Sequence, residues 1–184
     1  MEAPVRRRAS LMWGAAAVAA LGFLVLMIMS GGPRESGQLV QAGTSGLMAE
    51  RPEDVDRVDV EADGRRIVLV RAAGRWMRDE RDLPRPVVER LQMSLRFMHA
   101  AEPVRTLARD EYAGTPAAQF GLDPPRYSVL LSRDGRPLLR ARFGAPNPQE
   151  VLQYAGVEGR EAIYLMPRFV GREWEAVIAG ATSG

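Results

Sequence analysis

Hydrophobic positions along the 184-residue chain follow two different rules. Leu11 to Met29 is an unbroken run without a charged or strongly polar side chain. As a helix it would span about 28 Å, close to the roughly 30 Å hydrocarbon core of a bilayer. From Val55 onward, hydrophobic residues come in short stretches punctuated by turn residues. Val58 and Val60 alternate with polar neighbours, Asp63-Gly64 is a hairpin turn signal, and Ile67 to Val70 is a β-branched return run. Ala73-Gly74 then marks a turn before a short strand at Arg75-Trp76-Met77, and Arg78 to Asp82 reads as a solvated loop.

Pro86 to about Ala100 carries the strongest helical period of the second region. Val87, Val88, Leu91, Leu95 and Met98 share one face, as a helix covering a sheet requires. Proline is tolerated in its first turn. Val104 to Leu107 follows as a strand, then Asp110 to Phe120 as a loop with a helical turn. Tyr127 to Leu131, the turn Asp134-Gly135 and Leu138 to Phe143 make a second hairpin, and Gly144 to Pro148 a loop. Val151 to Ala155 and Ala162 to Met166 form another strand pair around Gly156 to Gly159, with edges near Val151 to Ala155 that a partner strand could pair with, and Pro167 to Ile178 ends the pattern as a helix. Val58 to Arg65 and Val129 to Arg136 echo one another in Val, an apolar residue two further on, and Asp-Gly-Arg. Duplication and convergence on one turn chemistry both account for the echo.

These patterns predict a cytoplasmic tail over 1–10, a transmembrane helix over 11–29, a linker over 30–52 and an α+β domain over 53–180. The domain is built of antiparallel hairpins packed with one or two helices. Within the linker, Leu47 and Met48 stand out as an early strand or an anchoring contact. The anchor residues are Leu11, Trp13, Ala15, Ala19, Phe23, Leu26 and Met29. Trp13 suits an interface, and Ala15 with Ala19 (and Ala16 with Ala20) has the small-xxx-small spacing that lets helices pack closely in lipid. The competing reading is a cleaved signal peptide ending at Ser30-Gly31-Gly32, but signal cores run about 7–15 residues and this run is longer.

Charge fixes the expected orientation. Arg6, Arg7 and Arg8 precede the span, opposed only by Glu2, and the chain beyond Gly32 carries equal numbers of basic and acidic side chains. The positive-inside bias keeps those arginines in the cytoplasm and puts the domain in the periplasm, so the expected location is the inner membrane. A neutral domain lacks the cationic surplus that nucleic acid requires. The chain has no Cys and a single histidine, His99, which excludes thiolate sites and histidine clusters. Its nine methionines are dispersed, and Gly156-Val157-Glu158-Gly159 lacks the lysine of a phosphate loop. No nucleophile motif accompanies His99. No catalytic residue, cofactor or metal is therefore expected.

Phe120-Gly121-Leu122-Asp123-Pro124-Pro125, followed by an alternating strand and a hairpin, resembles the hallmark of an uncharacterised bacterial family known only as domain of unknown function forty-three forty. An N-terminal anchor, Gly74 and Trp76, Phe143-Gly144, Tyr154 and Ile163-Tyr164-Leu165 extend the likeness over roughly residues 47–178. Family members often carry Tyr where this chain has Phe120. The resemblance implies an accessory role beside gliding-motility-type ABC transporters and carries over no catalytic residue. The expected function is thus a membrane-anchored extracytoplasmic interaction subunit, with the lipid bilayer and an integral membrane protein as partners. The alternatives are a structural subunit of a respiratory or photosynthetic complex, and an envelope enzyme or small-ligand-binding domain.

Overall fold

A computed structural model describes residues 46–183. The anchor residues and Arg6, Arg7 and Arg8 lie outside this range. Among the described residues no helix is long and apolar enough to cross a membrane.

The domain is α+β: one antiparallel sheet of nine strands and two helices. The strands are β1 (Arg57–Ala62), β2 (Arg65–Ala72), β3 (Arg75–Arg78), β4 (Arg81–Asp82), β5 (Arg105–Leu107), β6 (Tyr127–Arg133), β7 (Arg136–Pro146), β8 (Leu152–Val157) and β9 (Ile163–Pro167). Helix α1 (Arg85–Ala100) follows β4, and α2 (Arg168–Thr182) follows β9. The spatial order is β4-β3-β2-β1-β6-β7-β8-β9-β5.

Alternation decides which residues meet the helices. Val58, Val60, Ile67, Leu69, Val129, Leu131, Ala141, Phe143 and Ala155 point into one core with Leu91, Leu95 and Met98 of α1 and Val170, Trp174 and Val177 of α2. The outer face of the sheet, away from the helices, carries Arg57, Asp59, Val68, Val70, Leu130, Arg140, Arg142 and Tyr154.

The sequence echo corresponds to two hairpins in matching register. Pairs 57↔70, 58↔69, 59↔68 and 60↔67 in β1–β2 have the counterparts 128↔142, 129↔141, 130↔140 and 131↔139 in β6–β7. One extra residue, Leu138, is absorbed at a register shift. Strands β1 and β6 also pair directly, with Val58 opposite Leu131 and Val60 opposite Val129. Exchanging the two halves turns one of these pairs into the other, so the hairpins are related by an approximate two-fold axis. The helices follow suit. Each starts after an extended proline (Pro84, φ −55°; Pro167, φ −53°), and buried Val87, Leu91, Ser94 and Met98 in α1 have the same spacing as Val170, Trp174, Val177 and Ala181 in α2.

Several expectations change. Leu47 and Met48 are core residues, fastened by hydrogen bonds from Gly46 N to His99 O (3.0 Å) and Met48 N to Met98 O (2.8 Å). The packed chain therefore begins ahead of residue 53. Arg78 to Asp82 is a tight turn at Asp79-Glu80 (φ 48° and 63°) leading into β4, because Asp82 pairs with Met77 and bonds Arg75. Strand β7 continues through Gly144 to Pro146, and β8 through Gly156 and Val157. The strand edge expected near Val151 to Ala155 is not free: Leu152 to Ala155 lie inside the sheet, and Val151, just ahead of β8, is exposed. Strand β8 is hydrogen-bonded to β7 on one side and β9 on the other. The edges are β4 and β5, whose shortness limits edge-to-edge pairing.

Candidate functional site

The 108–125 segment crosses the outer face of the sheet, and the Phe120–Pro124 motif fastens it there. A 3-10 turn, Ala117–Phe120, ends at Gly121 in the left-handed region (φ 64°, ψ 26°). The Gly121 N–H donates to Ala118 O (2.9 Å), and the Leu122 N–H to Ala117 O (3.0 Å). A β-carbon on Gly121 would lie 2.6 Å from Ala145 N, so only glycine allows this backbone to approach β7 so closely. Gly144 faces the same contact from the other side, against Phe120 O. Between Phe143 and Pro146 the β7–β8 register shifts, and the turn docks at that irregularity.

Aromatic and apolar contacts complete the attachment. Phe120 meets Tyr154 edge-on at 5.0 Å and Tyr112 at 6.0 Å, and Leu122 is buried. The Asp123–Pro124 peptide is cis, and both residues are exposed. The Arg126 N–H then donates to Phe143 O (2.9 Å) as the chain turns into β6. The motif holds a surface segment against the sheet.

Between that segment and β7–β9 lies a cavity of about 500 Å³. It exceeds the hollows of about 270 Å³ beside Trp76 and about 240 Å³ beside Gly180. Three arginines from three different elements line it: Arg109 from the crossing segment, Arg142 from β7 and Arg160 from the β8–β9 turn. Arg109 lies 5.9 Å over the Tyr112 ring. The Tyr112 hydroxyl donates to Glu161 O. Leu122, Ile163 and Pro116 supply apolar wall. Opposite Arg142, Gly156 puts no side chain over the floor.

A polar network lies behind the same stretch of β7, on the helix side. Gln153 is fully buried, donating from Nε2 to Gly144 O (3.0 Å) and accepting from Arg168 Nη1 (3.0 Å). Arg168 also grips both oxygens of Glu175, at 2.9 and 2.8 Å. The Tyr127 hydroxyl donates to Gly171 O (3.1 Å), and burial, with the charge of Glu175, pushes its pKa well above the usual phenol range. Sequence reasoning passed over this network, because Gln153, Arg168 and Glu175 are ordinary surface residue types. The hint that could have found it is Gly171, a glycine inside a helical pattern.

His99 lies apart from the cavity. Its Nδ1 is 2.8 Å from Glu50 O, tying the start of the packed chain to the end of α1. Among the described residues no group of three or more His, Asp or Glu side chains could hold a metal ion. No family model, curated protein or solved structure matches this chain.

Proposed function

We propose that the chain is a membrane-anchored extracytoplasmic accessory subunit that acts by contact within an envelope membrane complex. The Phe120–Pro124 motif and its family resemblance favour a transporter-associated complex. The observation that carries the reading is where the packed domain begins. Leu47 and Met48 already belong to its core, so only residues 30–45 separate the expected span from the fold. Fully extended, that stretch reaches at most about 55 Å. Such a tether keeps the domain at high effective concentration beside a neighbouring membrane subunit. The bonding of His99 to the Glu50 carbonyl supports the same reading, since it gives the lone imidazole a place in the fold.

The test is extraction of the full chain from its own membranes in mild detergent. We expect it to migrate as an assembly and to co-purify with an integral membrane protein. The domain secreted without residues 1–32 should lose that association while remaining folded. A full chain that migrates alone, or a free domain that retains the association, overturns the proposal. The cavity favours a second reading, a small-ligand-binding domain, which is compatible with the tether.

A further inference from the structure

We infer that the cavity between the 108–122 segment and strands β7–β9 binds a small anion: a phosphate or carboxylate group on a compact, partly apolar body. The inference stands apart from the membrane tether and survives if that reading fails.

Charge is the first argument. Arg109, Arg142 and Arg160 line one cavity, and none has a carboxylate partner among the described residues. Neighbouring arginines are engaged. Arg105 binds Glu111 (2.8 Å), Arg168 binds Glu175, and Arg140 lies 2.9 Å from Glu158 with its Nε–H poorly aimed. One acid, Glu161, lines the cavity against the three cations. Exposed guanidinium groups that line one cavity from separate segments suit phosphate and carboxylate, which accept several charge-assisted hydrogen bonds at once.

The approximate two-fold symmetry supplies an independent argument. In matching register, Val70 occupies in β2 the position that Arg142 occupies in β7. The hairpin therefore folds with a β-branched aliphatic residue there, and its architecture does not call for an arginine. The crossing segment is also special to the second half. In the first half, Val70 is 37% exposed, with no comparable segment over it among the described residues. The arginine and the cover that makes a cavity of it occur together.

Size and lining define the ligand. A volume of about 500 Å³ lies within the roughly 300–1,000 Å³ typical of small-molecule sites. Leu122, Ile163 and Pro116 can enclose an apolar body while the guanidiniums take the anionic head. Phenyl phosphate combines both features, benzoate offers a carboxylate on a similar ring, and inorganic phosphate lacks the body.

Calorimetric titration of the detergent-solubilised full chain with each probe tests the inference. Phenyl phosphate or benzoate should bind with saturable one-to-one stoichiometry, and inorganic phosphate more weakly. Arg142→Val, which copies the symmetry-related Val70, should weaken binding about tenfold, as loss of one charge-assisted bond does. Arg160→Gln, in an exposed turn, should do the same and serves if Arg142→Val fails to fold. Arg136→Gln, at the remote tip of the β6–β7 hairpin, should leave affinity unchanged. Absence of binding by all three probes at millimolar concentration would overturn the inference. So would equal weakening by Arg136→Gln and Arg160→Gln, which would mark diffuse attraction to a basic surface.

Discussion

At the scale of single residues, backbone conformation and close approach act on the same glycine. Gly121 combines a positive φ with a gap that a β-carbon cannot enter. Gly121→Val should destabilise the domain by about 1–3 kcal/mol, since a β-branched residue is strained there and Ala145 must also shift. A denaturant midpoint equal to wild type would show the position to be ordinary. Asp59 poses a different problem, a carboxylate that is 5% exposed on the face without helices. Burial pushes its pKa up, but hydrogen bonds and charge from Arg57 and Arg66 outweigh it and hold the pKa below the usual value. The depressed carboxylate contributes stability that is present in full above its unfolded pKa of about 4. That contribution is lost as pH falls through the lower folded value. The stability advantage of wild type over Asp59→Asn should therefore shrink between neutral pH and pH 3 in urea titrations. The effect should be modest, because the Arg57 and Arg66 side chains are 40% and 60% exposed and screened by solvent. An advantage constant across that range would contradict the assignment.

At the scale of elements, the approach of α2 to β8 is set by what Gly171 lacks. A β-carbon there would overlap Gln153 Oε1. Gly→Ala inside a helix ordinarily gains about 1 kcal/mol. Here the side chain it would displace is fully buried and bonded to both Gly144 O and Arg168. Leaving those groups unpaired costs about 1–3 kcal/mol each. Gly171→Ala should accordingly lower stability despite its higher helix propensity, and a raised thermal midpoint would refute this. The same network reaches the docking site of the Phe120–Pro124 turn through the Gly144 carbonyl, so a loosened α2 should also loosen the wall of the cavity. The approximate two-fold explains why the two helices carry buried residues at one spacing although their sequences share little beyond a Pro-Arg start and a valine.

At the scale of the whole molecule, the domain and its expected anchor make one topological statement. The arginines before Leu11 should stay in the cytoplasm, and Gly184 should lie outside it. A reporter active only in the periplasm, fused after Gly184, should be active, whereas activity from a cytoplasm-only reporter at the same position would reverse the assignment. The interior position of β8 removes strand addition near Val151 as a mode of contact.

Local rules were enough for much of this protein. Asp63-Gly64 and Asp134-Gly135 marked both central hairpins, because a tight turn needs residues that accept positive φ, and all four have it. The 3.6-residue period of Val87, Leu91, Leu95 and Met98 identified α1 and its buried face. Phe120 to Pro125 was legible as a compact turn, though not as the clasp of a surface segment. Tertiary structure alone decided where non-local partners meet. Leu47 and Met48 became core through bonds to the far end of α1, and Leu152 to Ala155 became interior because β9 pairs alongside them. Arg109, Arg142 and Arg160 are scattered in sequence and individually resemble any surface arginine. They share a cavity because a register shift in β7 receives the crossing segment. Periodicity and turn chemistry are properties of neighbours along the chain, whereas a site of this kind depends on sheet order, which no local pattern encodes.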